Sequence, residues 1–293
     1  MSAESIGGPR PRRRTRWNAA PLGLKIGGAL VVAHLVAAVI GPFVAPYGPG
    51  EIGTGIPLSP ASFAHPMGVD QLGRDVFSRV LNGSHIVILL SCAGTALGLA
   101  IGSAVGLLSA YMGGVFDEFV QRAIEAFVSI PYLVLGLLAV YTAGPGRSGQ
   151  PILMVVVIAI VYAPRIARMA RAAALDIVTR DYVTATRLRG ESAWSVILHD
   201  LMPNTTSTLL VEFALRTGYA PALIAAFGFL GFGVQPPTPE WGLLISENRA
   251  LILIAPATVL GPGLALASLV VAINMMTEGL ARILGRSVDL AVG

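Results

Sequence analysis

Six stretches of this 293-residue chain, near 24–46, 86–111, 116–142, 151–173, 206–233 and 254–284, each stay predominantly apolar for more than twenty residues. A helix of about 20 such residues crosses a hydrocarbon layer about 30 Å thick. A soluble core has no use for runs of that length, because a compact chain must cover itself with polar side chains. Composition agrees: 54% of the residues are hydrophobic and 12% are charged, against about 25% charged in an ordinary soluble domain. The expected fold is all-α and polytopic, with six transmembrane helices. Around them the chain divides into a basic tail (1–23), a first span with its following segment (24–85), a core domain (86–284) and a short tail (285–293).

Charge orients the bundle. The pI of 9.6 could signal nucleic acid, but the cations cluster beside the apolar runs, where the positive-inside rule wants them, and no nucleic-acid role is expected. Arg10, Arg12, Arg13, Arg14 and Arg16 precede the first run, and its length with no small-residue cleavage site reads as an uncleaved helix rather than a signal peptide. With the N-terminus inside, fifteen Lys and Arg fall on the inner side, including Arg165, Arg168, Arg171, Arg180, Arg187 and Arg189 in the loop after the fourth span. Four, namely Arg74, Arg79, Arg147 and Arg249, fall outside. Both termini are expected on the cytoplasmic side of the membrane.

No soluble-enzyme constellation is present. There is no GxxxxGK[ST] loop, no HExxH and no paired cysteine; Cys92 is alone in an apolar run, and the four histidines have no ligand spacing. No cofactor, metal or catalytic residue is expected on this chain, and ATP-driven work would need a separate ATPase. In the second span, Gly94, Gly98, Gly102, Gly106 and Ala110 recur every fourth residue and share one helix face. Such a face lets a neighbouring backbone approach, the usual basis of helix packing in lipid.

The polar stretch from Asp181 to Asn204 lies between two spans on the Arg-rich side. It reads as a short helix, a break at Gly190 where a left-handed residue ends it, and a second helix stopped at Pro203. Trp194, Ile197, Leu198 and Leu201 are expected on one apolar face of that second helix. A protruding pair of helices with an apolar face is what docking to a partner requires.

This stretch resembles the EAA loop of ABC importer permeases, a pattern of EAA, three residues, Gly, nine residues and I-x-L-P. Gly190 supplies the glycine, Ala185 the central alanine, and Leu201-Met202-Pro203 approximates the closing L-P, while Thr184 and Thr186 replace the glutamate and the second alanine. Three further segments resemble the C-type permease of dipeptide, oligopeptide and nickel importers: His65–Arg79, Tyr111–Asp117 with Ser129-Ile130-Pro131, and Phe229–Gly242. The resemblance spans roughly residues 20 to 285. It implies a type I importer-like permease working with a second homologous permease, two ATPase subunits that carry ATP and Mg, and an extracytoplasmic solute-binding protein. By the same resemblance Tyr182, Thr184, Ala185, Arg187, Gly190, Trp194, Ile197, Leu201 and Pro203 would couple the chain to an ATPase. Dipeptides or oligopeptides are the implied solutes, with nickel chelates or another small solute as the alternative.

Four residue-level expectations remain. Asp70, Arg74 and Asp75 sit at helical spacing and can cap or pair, in a surface helix at the membrane rim or in contact with a delivery protein. The Pro236-Pro237-x-Pro239 run forces a turn, and Trp241 suits the aqueous interface. Glu212 and Arg216, four apart in the fifth span, form either a self-neutralising pair or a charged part of the solute path. An ATPase-independent channel or carrier would be expected to show chains of buried acids or inverted repeats, and neither is visible.

Overall fold

The computed structural model describes residues 21–283. The tail arginines and Arg286, and the tail assigned to 285–293, lie outside the described residues. Within them the chain is helical, with one isolated antiparallel bridge, Val69 to Asp75, and no strand. Helices α1 (Leu22–Val44), α2 (Val76–Met112), α5 (Pro151–Val178) and α10 (Ala257–Ile283) are long and apolar enough to span a membrane. So is the continuous stretch Ala193–Phe229, in which α7 (Ala193–Val196) and α8 (Met202–Phe229) are joined by a π-helical turn. The sixth candidate is a bent pair, α3 (Gly114–Ser129) and α4 (Tyr132–Ala143), set at 94°. Two short α-helices complete the described residues, α6 (Asp181–Leu188) and α9 (Trp241–Asn248), the second running into a 3-10 turn at Arg249–Leu251.

The sequence expectation of a single straight span over 116–142 is therefore corrected. Pro131 has no N–H to continue the helix and forces the preceding residue out of the helical region. Ile130 is extended, at φ −78° and ψ 128°. The second span also begins ten residues earlier than expected, because Asp75 caps it: its Oδ2 accepts from the Ser78 N–H at 2.7 Å. Arg165, Arg168 and Arg171 are not in a loop but on α5.

The α2–α5 contact is the most extensive in the molecule. The glycine stripe lies along it: Gly94 against Ile158, Gly98 against Ala159, Gly102 against Ala163 and Ile166, and Gly106 against Ala167 and Ala170. Backbone approach is close enough that a Cβ on Gly102 would stand 2.6 Å from the Ala163 carbonyl oxygen. Beside this seam Leu90, Val157, Ile158, Val161, Ile224 and Phe227 form the main apolar core, and the Phe227 ring fills the space left by Gly136.

At the N-terminal end of α2 the segment 45–75 is built of turns rather than a surface helix. It folds inward around a buried ionic network. Asp70, fully buried, accepts from Arg74 Nε at 2.6 Å and from the Arg79 guanidinium at 3.0 Å. Glu247 on α9 completes it, accepting from Arg74 at 2.9 Å and Arg79 at 2.7 Å. His65 stacks on Tyr47 and hydrogen-bonds Asp75 at 2.9 Å. Trp241, expected at the interface, is instead 1% exposed: its indole N–H donates to the Val80 carbonyl at 3.0 Å, in the gap left by Gly83.

Glu240 caps α9, accepting from the Gly242 and Leu243 N–H groups at 2.8 and 2.9 Å. Burial outweighs those two donors and pushes its carboxyl up to about 7. A folded-state value raised above the unfolded one stabilises the fold below the ordinary carboxylate range, and that stability is lost as pH rises through 7. Melting of the purified protein between pH 5 and 8 is expected to show a loss of about 3 kcal/mol from this group. Glu240→Gln should remove that component of the pH slope; an unchanged slope in the variant would contradict the assignment.

Candidate functional site

The hairpin lies at the other end of α2. Asp181 opens α6 and Arg187 closes it, each charge matching the helix dipole. Gly190 then adopts φ +80°, the left-handed conformation expected of it, with open space around its Cα. Ser192 caps α7, accepting from the Ser195 N–H at 3.2 Å. The second helix does not stop at Pro203. It passes through the π turn Ile197–Leu201 into α8, with Pro203 in the first turn after the π segment. The wider turn lies where the proline ring would otherwise press on the carbonyl four residues back. The hairpin is thus rigidly continuous with a membrane helix.

Its apolar residues divide onto two faces rather than sharing one. Val183, Val196, Ile197 and Leu201 are buried against Leu107 and Ala110 of α2 and Ala174 and Ile177 of α5. Trp194 is 58% exposed and Leu198 50%; Tyr182 and Leu188 are exposed with them. Thr184 and Ala185 are exposed on α6, and where the resemblance places a glutamate, the Thr184 hydroxyl turns back to the Arg180 carbonyl at 3.4 Å. Arg187 donates to the Tyr111 carbonyl at 3.0 Å and lies 4.3 Å from the Tyr111 ring, tying the hairpin to the end of α2. Nearby, Arg171 of α5 binds the Asp117 carboxylate of α3 through two nitrogens, and Ser109 of α2 donates to the same carboxylate. Three helices meet rigidly beneath the hairpin.

Deeper in the bundle, Arg216 binds Glu212 through Nε at 2.7 Å and a second nitrogen at 2.6 Å, the carboxylate side chain 8% exposed. Arg216 also faces the Tyr162 ring, its guanidinium 5.7 Å away. Arg216 of this pair lines a cavity of about 510 Å³ between α4, α5 and α8, together with Tyr132, Tyr162, Arg165 and Tyr219. Sequence reading missed Tyr132, Tyr162, Arg165 and Tyr219. A signal was present: Tyr162 with Arg165 and Arg216 with Tyr219 are two pairs, three residues apart, on two spanning helices.

Removing one partner of a buried pair leaves the other unpaired in a medium that does not solvate it. Glu212→Gln is expected to cost about 2 kcal/mol of stability, the one-quarter exposure of Arg216 holding the figure below that of a fully buried pair. The double change Glu212→Gln with Arg216→Met should recover most of it. Melting of both variants checks this, and equal melting points would contradict it.

Residues 98–290, which hold the hairpin, the cavity and all of the stripe but Gly94, match the model of the binding-protein-dependent transport system inner membrane component. The chain belongs to that family. It is 33% identical over 264 residues to the dipeptide transport system permease protein DppC of Haemophilus influenzae, covering 88% of each chain. It is 36% identical to the di/tripeptide transport system permease protein DppC of Pseudomonas aeruginosa, over 87% of this chain and 85% of that one. A glutathione transport system permease protein of Pectobacterium atrosepticum is 34% identical over 75% of this chain and 71% of its own. In fold, the inward-facing MetNI methionine ABC transporter aligns with a TM-score of 0.57 at 21% identity, covering 71% of this chain and 97% of that one. The chain is a permease subunit of an ABC transporter with the type I importer fold. It is a transport component and not an enzyme.

Proposed function

We propose that this permease imports dipeptides or short oligopeptides across a bacterial inner membrane, as one half of a translocation pathway completed by a second, homologous permease. Two ATPase subunits bind and hydrolyse ATP with Mg, and an extracytoplasmic binding protein delivers the solute. The permease names of the 33–36% identical relatives support the solute class; the glutathione permease relative stays within short peptides. One observation carries the coupling role: a hairpin with Trp194 and Leu198 exposed on one face is fused without a break to spanning helix α8. A push on such a hairpin moves α8 as a lever, which is how ATPase closure would rock the permease between inward- and outward-open states. In this reading the coupling residues are Tyr182, Thr184, Ala185, Arg187, Gly190 and Trp194 on the docking side, with Ile197, Leu201 and Pro203 holding the hairpin to the bundle.

The orientation follows from the arginine bias, with both termini and the hairpin cytoplasmic. Cysteines placed at Ile52, 69% exposed, and Leu188, 84% exposed, in a Cys92→Ser background should react with an impermeant reagent from the outer and the inner face respectively. Labelling of the Leu188 site from outside would reverse the topology. The solute class is tested by purifying the whole complex and measuring which compounds, presented with the binding protein, stimulate ATP hydrolysis. Di- and tripeptides should stimulate several-fold, and stimulation by nickel chelates alone would overturn the peptide reading.

A further inference from the structure

The cavity lined by Arg216 has an unbalanced charge. Its lining holds two guanidinium groups, Arg165 and Arg216, three tyrosines and no carboxylate among the described residues. Arg216 is neutralised from behind by Glu212, whose nearly buried carboxylate accepts from Arg216 Nε at 2.7 Å and lies 2.6 Å from Nη2. Among the described residues Arg165 has no such partner. Its one hydrogen bond is to the Val161 carbonyl, one turn back on its own helix, at 3.2 Å, and the charge that acts on it most is the repelling one of Arg216. A cation on a spanning helix without a counter-ion is costly, and such residues mark solute and ion paths.

The arrangement also excludes the ammonium end of a zwitterion. Glu212 is paired with Arg216 and is not among the lining residues, so among the described residues no carboxylate lines the cavity. What remains is the Arg165 guanidinium in a lining shared with Tyr132, Tyr162 and Tyr219, side-chain types that can donate to a planar anion. The volume lies within the roughly 300–1,000 Å³ of small-molecule sites.

We infer that this cavity is a carboxylate-binding station on the transport path, with Arg165 as the residue that engages the solute's carboxylate. Naming the solute a peptide rests on the function proposed above; the anion site itself does not. Ala222 lines the same cavity and is exposed, so a cysteine there can report on it. In the assembled complex carrying Cys92→Ser and Ala222→Cys, labelling by an anionic sulfonatoethyl methanethiosulfonate is compared with that by the cationic trimethylammonioethyl reagent. With rates normalised to a free thiol, the anionic reagent should be favoured about tenfold. Arg165→Gln should bring the ratio close to one, and Arg165→Lys should retain it.

A ratio near one before Arg165 is touched overturns the inference, whether or not the glutamine variant folds. So does a preference present in the isolated chain and absent from the complex, since a side-chain carboxylate of the neighbouring permease would then occupy the site. Dialanine should slow the anionic labelling at least threefold, and alanyl-alanine amide should not. Equal protection by both would also overturn it. An anion preference with protection by neither peptide would uphold the site and count against the peptide reading instead.

Discussion

Gly190→Val is expected to reduce ATP-driven uptake by tenfold or more while leaving the protein inserted and paired with its sister permease. Gly190 sits at φ +80°, where a β-branched residue is an outlier costing about 1–3 kcal/mol. Nothing lies within 4 Å of the position its Cβ would take, so the effect is conformational and not a clash. The strain is relieved by changing the angle between α6 and α7, which moves the exposed Trp194 and Leu198 away from the docking position. Trp194→Asp should give the same loss by another route, since it leaves the backbone alone and places a charge where an apolar ring would be buried. Co-purification of the ATPase and uptake assays read both variants. Wild-type values in the two together would contradict a coupling role for the hairpin.

Gly102→Leu should have the larger effect on folding. A side chain there meets the Ala163 carbonyl oxygen at 2.6 Å and the Ile166 Cβ at 2.8 Å, and neither is the far end of a flexible chain. The α2–α5 seam would have to open along its length, at a cost of about 3 kcal/mol or more, the upper end of overpacking effects. Membrane insertion depends on hydrophobicity and should persist, while the yield of intact complex falls several-fold. Gly28→Leu on α1 is the control, because its Cβ would meet nothing within 4 Å. Equal yields from the two would show that the stripe is not a packing face.

Features carried by a single helix period were legible in the sequence, and features made by distant segments were not. The apolar runs and the spacing of Gly94, Gly98, Gly102 and Gly106 announced spans and a close-packed face, though not that α5 would supply the other side. The positive φ of Gly190 followed from its place between two polar helical stretches. The bend at Ile130-Pro131 was hidden because the apolar character continues across it. Trp241 read as an interface residue since nothing local reveals that Gly83, far away in sequence, leaves room for its ring. The pairing of Arg79 with Glu247 joins residues 168 apart, so spacing arguments found only the local half of that network. Arg165 was assigned to a loop because arginine usually ends a span; on α5 it instead faces a cavity with its charge unanswered.

The most direct test of the account is cross-linking from the hairpin. A photoactivatable reagent attached at Leu198→Cys, in a Cys92→Ser background, is examined in membranes holding the whole transporter, with Ile52→Cys as the opposite-face control. The account predicts cross-links from position 198 to the ATPase subunit, altered in yield when ATP is bound, and none to the ATPase from position 52. Cross-links from position 198 to the solute-binding protein, or to the ATPase from position 52, would contradict both the orientation and the coupling role.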